Sequence, residues 1–222
     1  MTAGAIRANA RRGGSMRLVI LTIVGCITAG VSAQPGSCGP VLNEIMADPA
    51  SDWDGSGEYS FRDDEWIELY NPGPGSLNLE GYLLGDETRQ PVFGFSGTLD
   101  AGRHRVVYGG EAVVYQQGHG LGVYGLRMGN DGDTVTLLQV VGADTILVDS
   151  YTYNTYEAED DRSTGRRPDG SSTWEIFDLL NPYTGTTPPL GNGLAPTPGL
   201  PNGGDNVDVV DSTWGKVRAL YR

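Results

Sequence analysis

Lysine is almost missing from this chain: Lys216 is the only one in 222 residues. Histidine occurs twice, at His104 and His119, and cysteine twice, at Cys26 and Cys38. No H-x-H, H-E-x-x-H or C-x-x-C spacing exists, which argues against a zinc site or a histidine-rich catalytic centre. No G-x-S-x-G elbow marks a serine hydrolase. Two cysteines, one of them in the first 33 residues, cannot build an extracellular disulfide framework. Helical periodicity is absent between residues 40 and 200. The 34 glycines and 13 prolines suit neither helix nor strand interiors, so a coiled coil or long-helix protein is excluded. The glycines keep no period of three, which excludes collagen. No apolar run is long enough for a comfortable membrane span.

Acid is what the chain has in excess. Asp and Glu number 28 against 15 Lys and Arg. Four of the arginines, Arg7, Arg11, Arg12 and Arg17, precede an apolar run over residues 18–24 that weakens toward Val31. Val31-Ser32-Ala33 then places small residues before Gln34-Pro35. This order reads as a secretory signal peptide over residues 1–33, started at Met1 or at Met16. A rival reading takes Ile23-Val24-Gly25-Cys26 as a lipobox, with lipid on Cys26. Removing residues 1–33 leaves 11 basic against 28 acidic residues, a net charge of −17. Such a surface repels phosphate backbones, because nucleic-acid binding rests on Lys and Arg displacing counterions. It favours divalent cations, basic partners or plain solubility. Secretion or a cell-surface location follows.

Residues 34–40 read as a linker. Val41-Leu42-Asn43-Glu44-Ile45-Met46 is a first strand, and residues 48–64 are polar and glycine-rich, hence loop. Glu65-Trp66-Ile67-Glu68-Leu69-Tyr70 is a second strand, ended by the Asn71-Pro72-Gly73 turn. Short strands follow around Leu77–Leu83, at 91–95 and at 103–108. Residues 133–141 and 144–151 flank Gly142-Ala143 as the clearest hairpin. Short strands with turn signals between them predict an all-β sandwich. Residues 181–204 read as irregular covering chain.

Five phrases stand in an order that resembles the lamin tail domain family, its bacterial secreted members above all. They are Val41-Leu42-Asn43-Glu44-Ile45-Met46-Ala47-Asp48-Pro49, then Asp64-Glu65-Trp66-Ile67-Glu68-Leu69-Tyr70-Asn71-Pro72-Gly73, then Leu79-Glu80-Gly81-Tyr82-Leu83-Leu84, then Gly129-Asn130-Asp131-Gly132-Asp133-Thr134-Val135. The last is Ala195-Pro196-Thr197-Pro198-Gly199-Leu200-Pro201-Asn202. The resemblance implies an immunoglobulin-like β-sandwich over residues 41–203 that binds or scaffolds rather than catalyses. Nuclear members associate with chromatin and protein partners; the net charge of −17 speaks against the nucleic-acid half of that. Within these phrases Trp66, Ile67, Leu69 and Tyr70 read as core. Glu44 and Glu68 have the residue type of a glycosidase pair, but in so acidic a chain solvated or hydrogen-bonded carboxylates are the favoured reading.

One stretch carries metal chemistry. Residues 52–63 match an EF-hand-type calcium loop, whose alternate oxygens point at one centre. Asp52, Asp54 and Ser56 hold positions 1, 3 and 5, and Gly57 makes the sharp turn at position 6. Glu58 offers its carbonyl at 7, Ser60 stands at 9 and Asp63 closes the loop at 12. The closing residue is Asp rather than Glu, and the flanks are strand and loop rather than helices; Glu58 and Asp64 stand ready as further oxygens. The expected cofactor is Ca²⁺, with a stiffening role. Gly120-Leu121-Gly122-Val123-Tyr124-Gly125 spells G-x-G-x-x-G, but no helix begins there, so a dinucleotide site is not expected. Arg162, Arg166 and Arg167 read as a basic cluster paired with nearby acids. Residues 204–222 read as an acidic linker and a short amphipathic basic tail around Trp214, Val217 and Tyr221.

The expected function is a secreted or surface binding and scaffolding module whose partner is a protein or surface polymer. The alternative is a secreted metal-dependent hydrolase or nuclease accessory protein using the acidic loop.

Overall fold

A computed structural model describes residues 39–203, apart from Arg89. The expected signal peptide over residues 1–33 with Cys26, Cys38, and the expected tail over residues 204–222 lie outside the described residues. The described residues belong to one compact unit.

Among the described residues, eleven strands and one helix follow in order. They are β1 (Val41–Met46), β2 (Trp66–Tyr70), β3 (Leu77–Asn78), β4 (Tyr82–Gly85), β5 (Pro91–Gly94), β6 (Thr98–Leu99), β7 (His104–Tyr108), α1 (Gly109–Gly118), β8 (Gly132–Val141), β9 (Asp144–Asn154), β10 (Ser163–Arg166) and β11 (Trp174–Phe177). Sheet one has the order β11-β10-β1-β2-β7 and sheet two the order β5-β4-β8-β9, while β3 and β6 pair separately. All named pairs are antiparallel. Leu42, Ile45, Ile67, Leu69 and Val107 of sheet one share a core with Leu84, Phe93, Val135, Leu137 and Tyr153 of sheet two. Burying apolar side chains between two such faces is the main driving force for the sandwich.

Strand parity needs one correction device. Leu42 and Ile45 are three positions apart, so a regular strand would point them to opposite faces. The pairing of β1 with β2 shifts between Leu42 and Glu44, leaving Asn43 as the extra residue of a bulge. Both apolar residues then reach the core, and Asn43 is turned to a polar task.

The hairpin β8–β9 forms as its two apolar, β-branched runs around Gly142-Ala143 predict. Helix α1 corrects the expectation that residues 40–200 hold none. Its sequence, Gly109-Gly110-Glu111-Ala112-Val113-Val114-Tyr115-Gln116-Gln117-Gly118, combines three glycines with adjacent β-branched valines, which is poor helix material. Tertiary contacts decide it. Ala112 and Gln116, one turn apart, are the buried pair on its inner face. Gln116 Nε2 donates to the carbonyls of Val92 (2.9 Å) and Gly125 (2.7 Å). Its Oε1 accepts the N–H groups of Tyr124 (2.8 Å) and Gly125 (3.1 Å). The G-x-G-x-x-G segment is thus a loop tied down by one glutamine, and the helix precedes it.

Gly109 is required where it stands. A Cβ there would lie 1.8 Å from the carbonyl oxygen of Arg62. Without one, Gly109 N–H reaches Glu65 O (2.8 Å) and Gly110 N–H reaches Asp63 O (3.1 Å). The start of α1 is thereby pressed against the end of the acidic loop. Among the described residues, no helix is long and apolar enough to cross a membrane.

Candidate functional site

The loop between β1 and β2 folds around Asp64. This fully buried carboxylate accepts the N–H groups of Trp53 (2.6 Å), Asp54 (2.9 Å) and Ser60 (2.8 Å). Asp52 accepts Gly57 N–H (3.0 Å), and Asp54 accepts Ser56 N–H (2.8 Å). One carboxylate oxygen from each of Asp52, Asp54 and Asp64 lies within 4.8 Å of the others. That spacing suits a hard cation that takes oxygen ligands.

The other residues of the expected calcium loop stand differently. Asp63 turns to Arg62, which donates Nε to Oδ1 at 2.7 Å and Nη2 to Oδ2 at 3.1 Å. That guanidinium holds the Asp63 carboxyl below its ordinary value. The carboxylate that gathers with Asp52 and Asp54 is that of Asp64, one residue later. Ser56 Oγ donates to the Glu58 carbonyl (3.0 Å), and Ser60 Oγ accepts Asp63 N–H (3.2 Å), so these three serve the loop's own hydrogen bonds. Trp53 packs against Trp66 with ring centroids 6.2 Å apart. Asp161, in the left-handed region at φ 54, accepts Trp53 Nε1–H (2.8 Å), Ala50 N–H (2.8 Å) and Ser51 Oγ–H (2.7 Å). The acidic loop is thus anchored on both flanks.

A second concentration of acid crosses sheet one on the face turned away from the core. Gly165, Glu44, Glu68 and Val106 align across β10, β1, β2 and β7. Both glutamates are fully buried. The chain over residues 196–202 lies across them. Glu44 Oε1 accepts Ser163 Oγ–H (2.5 Å) and Thr197 N–H (3.0 Å), and its Oε2 accepts Thr197 Oγ1–H (2.7 Å). Glu68 accepts Asn43 Nδ2–H (2.8 Å) and Gly199 N–H (2.6 Å). Asp169 accepts Asn43 Nδ2–H and Asn202 N–H, both at 2.9 Å, with His104 Nε2 3.4 Å from its second oxygen. Gly165 leaves the room this needs, since a Cβ would come within 2.9 Å of Asn202 Nδ2 and Glu44 Cγ. Of the two favoured readings for Glu44 and Glu68, hydrogen-bonded holds and solvated does not. The bonds are spent on closing the fold.

Burial raises both carboxyls above their ordinary 4.5, and for Glu68 the neighbouring Glu44 adds to it, up to about 9. The sign follows directly. A carboxyl whose folded pKa exceeds its unfolded pKa binds more protons when folded, so stability falls as pH rises between the two. Calorimetric melts are expected to show the highest melting temperature near pH 5 and a steady fall toward pH 9. Glu68→Gln should flatten that fall; an unchanged slope would show that the pair does not govern it.

Next to the acidic loop, Glu65 lines a cleft with Asp48 and Asp133. Burial pushes its carboxyl up to about 9, against the nearby N–H groups of Met128 and Arg127 and with the help of Asp133 and Asp48.

With this geometry in place, the comparison with known proteins is decisive on one point. A family model for the lamin tail domain matches residues 33–155, more than half of the chain. The chain belongs to the lamin tail domain family. No curated protein and no solved structure matches it at a significant level. The lamin tail domain is an immunoglobulin-like β-sandwich of a non-enzymatic family, in accord with the two antiparallel sheets. The phrases that carry the resemblance have a common physical basis here. Asn43-Glu44 of the first phrase, Glu68 of the second and Thr197, Gly199 and Asn202 of the last are one hydrogen-bonded network. In this lamin tail domain the network continues well past residue 155, through β10, β11 and the crossing segment.

Proposed function

We propose that this lamin tail domain is a non-catalytic binding and scaffolding module, exported to the cell surface or beyond, whose 52–64 loop is stiffened by Ca²⁺. The observation that carries the calcium part is the convergence of Asp52, Asp54 and Asp64 on one point. The family, non-enzymatic as a class, supports the binding role. The basic, apolar and small-residue order of residues 1–33 supports export. A rigid sandwich presenting anchored loops is the usual platform for recognition. The partner is a protein or surface polymer that meets these loops, and the acid excess of the domain disfavours nucleic acid.

The test is a thermal melt of the purified protein in EDTA and then in 10 mM Ca²⁺. With affinity of about 10⁻⁴–10⁻³ M, typical of extracellular modules, mass action adds about 1.4–2.7 kcal/mol. The expected rise in melting temperature is about 3–10 °C, and it is lost in Asp54→Asn. No rise would make residues 52–64 a plain acidic loop and remove calcium from the reading. Phosphoester or glycan hydrolysis that disappears in Asp54→Asn would overturn the non-catalytic reading itself.

A further inference from the structure

Strand β9 is the last strand of sheet two, and its first half projects from that sheet together with the end of β8. The pairing of β8 with β4 reaches Gln139, opposite Tyr82, and ends where Val140 N–H meets Gly81 O (2.9 Å). Beyond that point β8 and β9 continue as a two-stranded ribbon, with Val140 opposite Thr145 and Val141 opposite Asp144. Directly opposed residues share a face, and successive ones alternate. Val140 and Leu147 therefore lie on one face, and Val141 and Ile146 on the other. They are 45%, 42%, 50% and 46% exposed. A sheet open to water normally turns a polar face outward, and this ribbon is apolar on both. The free edge of β9 is guarded over only half its length. A bulge at Val148, and the Asp149 carboxylate bonded to Leu42 N–H (2.9 Å), occupy the inner half. Residues 144–147 contain no bulge, Pro or Lys, the usual guards of an exposed edge.

The place where the described residues end points to what covers this ribbon. Gly203 is exposed and stands beside Arg167, whose Cγ a Cβ there would meet at 3.9 Å. The neighbouring Arg166 donates Nη2 to Asp149 Oδ2 at 3.0 Å, two positions from Leu147. Two adjacent residues thus bridge the exit of the chain and the base of the ribbon. Residues 204–211 add up to about 26–29 Å of reach. Residues 212–222 then hold Trp214, Val217, Leu220 and Tyr221 together with Lys216, Arg218 and Arg222, and no acid. The ribbon offers the complement. It has exposed aliphatics on both faces, Asp144 at its tip, exposed Glu80 beside Gly81, and no Lys or Arg over residues 139–147. A segment on so short a tether is present at an effective concentration on the order of millimolar, so a small contact holds it. A second copy as the cover is opposed by the net charge of −17 that each copy carries without residues 1–33.

We propose that residues 212–222 dock on the 140–147 ribbon of the same chain. Trp214, Val217 and Leu220 lie against the exposed Val140, Val141, Ile146 and Leu147, and the basic side chains face Asp144 and Glu80. The ribbon is then a receptor for the chain's own basic segment, and docking closes an edge that is otherwise a template for foreign strands. The contact uses neither the 52–64 loop nor calcium, so it stands or falls apart from the binding-module reading.

The experiment is amide hydrogen exchange of the ¹⁵N-labelled chain from residue 34 through 222, read by NMR at residues 144–148. Trp214→Ala and the double variant Lys216→Glu, Arg218→Glu are each expected to speed exchange there at least fivefold. None of the three residues belongs to the sandwich, and unchanged exchange in β1 and β2 reports that the fold is kept. Ile146→Ser is the converse variant, at a position exposed enough to tolerate it. It is expected to move the Trp214 indole N–H signal to its position in the free 212–222 peptide. Equal exchange in all the tail variants and the parent overturns the proposal. Protection that grows with protein concentration, with a dimer in sedimentation, assigns the cover to a second copy and overturns it as well.

Discussion

A chain that stops at residue 155 is expected to remain unfolded, although the family match ends there. Strand β10 lies between β11 and β1 in sheet one. Removing it strips β1 of its pairing along Glu44 and Ile45 and leaves an open edge in the middle of the molecule, a template for aggregation. The loss of residues 196–202 is worse. Glu44 and Glu68 lose the Thr197 and Gly199 donors, and a buried carboxyl without its donors costs several kcal/mol. Phe177 and Ile176, both fully buried, go as well. A typical domain has only about 5–15 kcal/mol of stability in total, so these losses together exhaust it. Near-ultraviolet circular dichroism and amide dispersion check this on residues 34–155 against residues 34–203. The longer chain is expected to melt cooperatively and the shorter one not at all. A cooperative melt of the shorter chain would mean that the C-terminal third is an ornament.

Glu44→Ala is expected to destabilise the folded protein by about 3–5 kcal/mol, the range for breaking a buried polar network. Two donors lose their acceptor at once, Ser163 Oγ and Thr197 N, and Thr197 Oγ1 is left with Asn202 Oδ1 alone. The space vacated lies against Gly165, which has no side chain to fill it. Glu44→Gln should cost less, about 1–2 kcal/mol, because one amide oxygen still accepts and only part of the network is lost. It also removes the charge that opposes Glu68. Urea denaturation separates the two variants, with the midpoint moving and the slope unchanged. Equal costs for Ala and Gln would mean that charge, not hydrogen bonding, is what Glu44 contributes.

Much of the sandwich is legible in the residues, and the exceptions have physical causes. The β8–β9 hairpin is visible because its two runs are apolar and β-branched around Gly142. Strands β10 and β11 are not anticipated. Ser163-Thr164-Gly165-Arg166 has no apolar alternation, because its outward residues are chosen for an acid row rather than for the core. Helix α1 escapes notice because Gly109 is selected for close approach to Arg62, not for helix propensity. In the acidic loop, Asp52 and Asp54 are legible from their spacing. The EF-hand register then points to Asp63, and only the Arg62 contact shows why the carboxylate beside Asp52 and Asp54 comes from Asp64. Glu65 illustrates the limit best. Its sequence neighbours mark a strand start, and nothing in them signals the cleft, whose other wall is built by residues 123–133.

The long reach of the Glu44–Thr197 bonds, 153 positions apart, has a consequence in time. Synthesis proceeds at about 5–20 residues per second, so Thr197 is made about 8–30 s after Glu44 by that rate. Throughout this interval the first strands exist without the segment that closes over them, and the two glutamates stay hydrated and charged. Contacts so distant along the chain also slow folding once every part is present. The domain is therefore built to acquire its structure late, after the whole polypeptide through residue 202 has been delivered.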